Sequence, residues 1–178
     1  MHTQPLSLNM LKTVSLILIS LLIIVSQPCF AMPDDREKIL ELSANTADIN
    51  QQTHHGEFSG NVELDQGTTH LRAANAITKG DKQNKLVLAE AKGTKQEQAH
   101  LWTLLSLDKP PLHAYADTIR YLPDRNQVEL IGNAKVVQGV NFFTAPKIIY
   151  DTVKQHIVSK SDGKTRTTIT IHPEKKHE

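Results

Sequence analysis

Residues 60–67 read GNVELDQG, and residues 132–139 read GNAKVVQG. Gly60, Asn61, Gln66 and Gly67 return as Gly132, Asn133, Gln138 and Gly139, each at an offset of 72 positions (132 − 60). The register holds without a gap from residues 40–78 to residues 112–150. Leu40 returns as Leu112, Ala44 as Ala116, Thr46 as Thr118, Glu57 as Glu129, Ala73 as Ala145 and Ile77 as Ile149. A chain that repeats itself over such a span folds as stacked copies of one supersecondary unit, each covering the apolar face of the next.

A smaller frame runs inside the long repeat. Leu42-x-Ala44-x-x-Ala47-x-Ile49 recurs as Leu71-x-Ala73-x-x-Ala76-x-Thr78, as Ala114-x-Ala116-x-x-Ile119-x-Tyr121 and as Phe143-x-Ala145-x-x-Ile148-x-Tyr150. Around it the period is two. Phe58, Gly60, Val62 and Leu64 alternate with Glu57, Ser59, Asn61, Glu63 and Asp65, the pattern of a half-buried strand. The three-residue step in the middle of each frame switches the buried side unless the chain bends there, so it predicts a bulge or corner. The expected class is all-β: a sheet of short strands folded over on itself, jellyroll-like or solenoidal.

Turn signals separate the strands: Gln66-Gly67, Lys79-Gly80-Asp81, Pro123-Asp124-Arg125-Asn126 and Gln138-Gly139. LWTLLSL, residues 101–107, is the one run with the look of a helical turn, and Asp108-Lys109-Pro110-Pro111 after it predicts a loop. KTRTTITIH, residues 164–172, is rich in β-branched residues and predicts a last strand. PEKKHE, residues 173–178, reads as a disordered charged tail.

The first 31 residues belong to another class of sequence. Lys12 is their one formal charge, VSLILISLLIIV fills residues 14–25, and Cys29-Phe30-Ala31 has the small-x-small form of a cleavage site. That is the layout of a secretory signal peptide, with a core shorter than the roughly 20 apolar residues of a membrane span. The competing reading is an uncleaved N-terminal anchor. Pro28, where a small residue is usual, argues against lipidation at Cys29. Residues 32–172 then form the one folded domain.

Cleavage after Ala31 removes the single cysteine and leaves 19 basic and 19 acidic residues. The remaining domain has no thiol or disulfide chemistry. It also has no broad basic field for nucleic acid. Aromatic residues are 4% of the chain, so the core is aliphatic and fits a thin, extended shape.

No catalytic constellation, phosphate loop or metal-ligand spacing stands out, and the residues imply neither an enzyme nor a cofactor. His54-His55 would point to opposite faces of a strand and aligns by the repeat with the turn at Asn126-Gln127, so it reads as turn rather than metal site. Asp117 and Asp124 read as strand-end and turn residues. Trp102 is either core packing or a ligand-facing ring. Tyr121 and Tyr150 end two repeat frames on the apolar face, as core caps or as the walls of a lipid path.

The tandem GN-x-x-x-x-QG and Ala frames, the signal-like start, and Ser161-Asp162-Gly163-Lys164-Thr165-Arg166-Thr167-Thr168 before a last strand resemble the OstA-like (LptA) family of periplasmic lipopolysaccharide-transport bridge proteins. The likeness covers about residues 37–172. It implies a twisted, open β-jellyroll of short antiparallel strands with a hydrophobic groove for acyl chains. It further implies non-enzymatic transport in the periplasm, with protomers stacked head to tail between LptC at the N-terminal edge and LptD at the C-terminal edge. Combined with alternation and repeat position, it selects Leu40, Phe58, Leu64, Tyr121, Phe143 and Tyr150 as groove residues. The edges fall on the strands Ile39–Ala44 and Lys164–Ile171, with Ile39, Leu42, Thr168 and Ile169 as edge residues. The run Gly93–Tyr121 is longer than the family pattern and assigns no groove residue within residues 93–111. A membrane-anchored LptC-like component and a structural β-solenoid with a filled polar interior are the alternatives.

Overall fold

A computed structural model describes residues 38–154 and 156–173. The expected signal, residues 1–31, lies outside the described residues, as does the expected tail apart from Pro173. Twelve strands are described: β1 (Leu40–Ser43), β2 (Thr46–Asn50), β3 (His55–Gln66), β4 (Thr69–Gly80), β5 (Leu86–Lys92), β6 (Ala99–Thr103), β7 (Leu112–Ala116), β8 (Thr118–Leu122), β9 (Gln127–Gln138), β10 (Asn141–Asp151), β11 (His156–Lys160) and β12 (Thr168–Thr170). The helical content of the described residues is a single 3-10 turn, Pro123–Arg125.

The strand pairs make one hydrogen-bonded surface folded along a line of bends into two facing sheets. Sheet I runs β2, β3, β4, β5, β8, β9, β10, β11. Sheet II runs β1, β3, β4, β6, β7, β9, β10, β12. The long strands β3, β4, β9 and β10 cross from one sheet to the other. The short ones cross in pairs, β1 with β2, β5 with β6, β7 with β8, and β11 with β12. The result is eight antiparallel rungs, and the 72-residue repeat is four of them.

The recurring glycine–asparagine pair makes the bend. Gly60 and Asn61 have φ of 76° and 48°, and Gly132 and Asn133 have 78° and 46°. Two successive left-handed residues bulge the strand, and the pairing register shifts there in both halves. Across the bend β3 takes four steps from Phe58 to Val62, where its neighbour β4 takes three from Ala73 to Ala76. Asn tolerates this conformation and Gly takes it freely. Glycine is also required by contact. A Cβ on Gly132 would lie 2.3 Å from Asp117 Oδ2, and one on Gly60 would lie 2.6 Å from Asn45 Nδ2. Asn45 and Asp117 are repeat partners, and their amides donate to the Gly60 and Gly132 carbonyls at 2.8 and 3.0 Å. The second glycines, Gly67 and Gly139, both at φ 59°, open two-residue hairpins in the manner of type II′ turns.

Three expectations are corrected. LWTLLSL is no helix: Leu101 to Thr103 belong to β6, and only the residues after them are loop. Its leucine-rich run lacks a period that distinguishes strand from helix. The first strand starts at Leu40, so Ile39 lies outside it, and the edge rung contains β2 as well. The last strand shrinks to Thr168–Thr170. Asp162 Oδ1 accepts from the amides of Lys164 and Thr165 at 2.9 and 2.6 Å, and that turn overrides the β propensity of residues 164–167.

Candidate functional site in the trough between the sheets

Directly paired residues share a face, so the register gives the inner walls. In sheet II one row runs Leu42, Leu64, Leu71, Leu101, Ala114, Val136, Phe143, Ile169. In sheet I two rows run side by side. One is Ala47, Phe58, Ala76, Ala91, Ile119, Leu130, Ile148, Ser159, and the other is Ile49, Gly56, Thr78, Ala89, Tyr121, Val128, Tyr150, Ile157. Close to the bend the wall is mostly small: Val62 faces Ala73, Ala99 faces Ala116, and Ala134 faces Ala145. Alanine fits where the sheets converge, and these positions are nearly all sealed. Ala99 and Ala116 are 0% exposed. Further out the inward Leu64, Leu71, Leu101, Val136 and Phe143 are only half-buried. Close packing leaves few unfilled gaps inside proteins. Half-exposed leucines on the sheet II wall, with half-buried Tyr121, Val128 and Tyr150 on the wall opposite, therefore mark a trough open away from the bend.

Leu64 and Phe143 stand in the sheet II row, Phe58 is buried in sheet I, and Tyr121 and Tyr150 share the outer inward-facing row of sheet I. Leu40 is two residues beyond Leu42 on the same face and is exposed at the rim. Burial, with a smaller contribution from the Asp151 charge, raises the Tyr150 hydroxyl pKa, so that ring presents a protonated O–H. Of the edge residues, Leu42 and Ile169 occupy opposite ends of one inward row, Thr168 faces outward, and Ile39 precedes the first strand.

The outer faces carry what the sequence reading passed over. On sheet I, Arg120 donates to Glu90 at 2.6 and 2.7 Å and reaches Glu129 at 3.4 Å, while Lys92 and Lys147 lie 3.1 Å from Glu90 and Glu129. Both carboxylates are buried. Burial raises the Glu90 pKa. The hydrogen bonds and charges of Arg120 and Lys92 outweigh it, and the group titrates below its ordinary range. On sheet II a stack of rings runs His70, Trp102, His100, Tyr115, with centroids 4.8, 4.7 and 4.2 Å apart. Arg72 lies 5.2 Å over Trp102, and His100 Nε2 meets His113 Nδ1 at 3.0 Å. Burial, then the His113 and Arg72 charges, lowers the His100 pKa.

Trp102 is therefore neither core nor trough wall. It braces the back of β6. The clue was His-x-Trp and His-x-Tyr at period two, interleaved with inward Leu101 and Ala114. His54 sits in a turn at φ 52°, as does Asn126, its repeat partner. Among the described residues no group of three or more His, Cys, Asp or Glu side chains is placed to hold a metal ion. A depression of about 590 Å³ at the bend, lined by Gly93, Thr94, Lys95, Asp117 and Asn133, is polar and does not continue the apolar rows.

With this geometry in place, the comparisons with known proteins become specific. The family model described as LptA/(LptD N-terminal domain) LPS transport protein matches residues 41–156. Lipopolysaccharide export system protein LptH of Pseudomonas aeruginosa is 30% identical over 158 residues, which cover 85% of this chain and 89% of the relative. Lipopolysaccharide export system protein LptA of Escherichia coli K12 is 28% identical over 172 residues, covering 95% and 87%. The crystal structure of LptH, described as the LptA-homologous periplasmic component of the lipopolysaccharide transport device, superposes with a TM-score of 0.70 at 29% identity, covering 79% of this chain and all of that one. The chain belongs to the LptA/LptD N-terminal domain family of lipopolysaccharide transport proteins.

Proposed function

We propose that this chain is a periplasmic lipopolysaccharide-binding bridge that passes the lipid along its trough and works by binding rather than catalysis. The observation that carries the reading is the sheet II row, apolar on all eight rungs and half-exposed along the middle, faced by the largely apolar rows of sheet I and open at both ends. Each methylene shielded from water is worth about 0.8 kcal/mol, so a lipid with several acyl chains needs such a wall to cross an aqueous space. Aliphatic walls lack directional partners and allow sliding. The relatives named as lipopolysaccharide export proteins, and the periplasmic description of LptH, support the same reading. A solenoid with a filled polar interior would not line one inner wall with half-exposed leucines. Among the described residues no helix is long and apolar enough to cross a membrane.

Photo-crosslinkers at Leu64, Tyr121, Phe143 and Tyr150 are expected to capture lipopolysaccharide in cells, and one at the outward, exposed Lys135 is not. Equal labelling from both faces would remove the trough as the binding site.

The edges point to head-to-tail growth. The first rung crosses from sheet II to sheet I and the eighth crosses back, so copies placed edge to edge meet antiparallel. Aligning the inward rows sets the register: Ile169 beside Leu42, Ile171 beside Leu40, and Ile157 beside Ile49. Ile171, Ile49 and Leu40 are 74%, 64% and 52% exposed, residues of the two end rungs that have no rung on their outer side. Open strands of this kind add to another sheet. The same edges suit an LptC-type partner at rung one and an LptD-type partner at rung eight.

In a Cys29→Ser background, the pairs Ser43→Cys with Thr168→Cys and Glu41→Cys with Thr170→Cys are expected to oxidise into intermolecular ladders, whereas Glu41→Cys with Thr168→Cys stays monomeric. Equal crosslinking of the mismatched pair would refute the register.

A further inference from the structure

The trough has two rims, made by the strand ends farthest from the bend, and they differ. The sheet I rim is four turns of largely polar sequence, at residues 51–54, 81–85, 123–126 and 152–154. Asp81 and Asp151 accept backbone amides within theirs, and Lys85 pairs with Asp124 at 3.2 Å across two turns. On the sheet II rim the β3–β4 and β9–β10 connections have only two residues each, Gly67-Thr68 and Gly139-Val140. Between them the β6–β7 connection has eight, Leu104 to Pro111, reading LLSLDKPP. It rises at the middle of the trough, from rungs four and five.

This loop is apolar where a solvent loop is usually polar, and it is held in place. Leu105 and Leu107 are 43% and 79% exposed. The Leu104 amide donates to Thr68 Oγ1 at 3.4 Å on one neighbouring hairpin, and Gln138 Nε2 donates to the Pro110 carbonyl at 3.3 Å on the other. Lys109 N closes a turn on the Ser106 carbonyl at 3.3 Å. Pro110 and Pro111 fix φ on the return limb, so little chain entropy remains to be lost on binding. The strand that leads into the loop carries the Trp102 stack on its back.

We infer that the 104–111 loop is a fixed apolar flap on one rim of the trough, and that Leu105 and Leu107 contact the acyl chains of the amphiphile held there. This rests on the trough reading above. The occupant follows from continuity. The flap continues β6 and β7 beyond the inward Leu101 and Leu112, so chains that lie on that wall meet the flap next. The polar rim opposite is left to the head group.

The test uses photo-crosslinkers at Leu105 and Leu107, with Val153 on the opposite rim, 67% exposed, as an equally accessible apolar control. Lipopolysaccharide capture at 105 and 107 but not at 153 is the expected result. The double variant Leu105→Ser/Leu107→Ser should bind intact lipopolysaccharide about tenfold more weakly. With alkali-stripped lipopolysaccharide, which keeps only its amide-linked chains, the difference between variant and wild type should shrink. Capture at Leu64 and Phe143 with none at 105 or 107 overturns the flap and leaves the trough. Loss of capture at every position overturns the trough itself. Crosslinks from 105 and 107 to a second copy of the chain overturn the flap by making it a protein contact.

Discussion

Arg120→Met is expected to lower the unfolding free energy by about 3 kcal/mol, near the low end for removing one partner of a buried ion pair because Arg120 itself is partly exposed. One guanidinium on β8 separates two buried carboxylates on the strands that flank it, Glu90 on β5 and Glu129 on β9. Without it they keep only Lys92 and Lys147. The pH dependence should change sign as well. In wild type the Glu90 pKa is held below its ordinary value of 4.5, so its contribution is complete above that pH and is lost as pH falls through the lower folded value. In the variant burial acts with its strongest opponent gone. The folded pKa then rises above the unfolded one, and protonation favours the native state. Urea unfolding at pH 7, 6 and 5 should show the variant recovering stability on acidification while wild type stays level. Adding Glu90→Gln and Glu129→Gln should recover most of the loss at pH 7. Parallel pH profiles for variant and wild type would show that Arg120 is a surface charge with no structural hold on the two carboxylates.

Gly132→Ala should cost a similar amount, about 3 kcal/mol, by a different route. A left-handed L-residue costs roughly 1–2 kcal/mol. The new methyl must also displace the Asp117 carboxylate, which takes hydrogen bonds from Asn133 Nδ2 at 2.9 Å and Gln98 Nε2 at 3.2 Å. Gly163→Ala is the control: φ is 82° there, but nothing lies within 4 Å of the added carbon. It should show the backbone cost alone. Denaturant midpoints measure both, with an unchanged slope showing that the surface exposed on unfolding is the same. Equal losses at the two glycines would mean that the Asp117 contact does not matter and the bend is set by φ alone.

How far these features were legible in the sequence depended on how local their causes were. Gly60-Asn61 and Gly132-Asn133 repeat because two consecutive left-handed residues admit few side chains, so the bend was written in residue identity. The inward rows were written in alternation. The three-residue step of the Ala frame was the bend seen from the strand beside the bulge. What escaped depends on distant partners or on competing local bonds. Trp102 looked isolated because His70 comes from another rung and His100 and His113 looked polar. Glu129 looked like its exposed repeat partner Glu57, since only the approach of Arg120 from β8 buries it. The strand expected over residues 164–172 was cut short by a carboxylate two residues before it. β11, five residues long and mostly exposed, offered no apolar face to read and left half of the C-terminal edge unnoticed.

The rung count has a consequence for distance. Rungs in a sheet stand about 4.8 Å apart, so eight of them give each copy a reach of roughly 38 Å along the trough. In the head-to-tail growth proposed above, a conduit lengthened only by whole copies would be a ruler with coarse graduations. It would match a gap between two membranes only to the nearest graduation. The remainder would fall to the terminal partners, or to the membranes drawing together at the point of contact. Adding or deleting one 72-residue half would shift the scale by about 19 Å and still leave antiparallel edges, because four rungs is also an even number. Removing a single rung would put parallel strands at every joint.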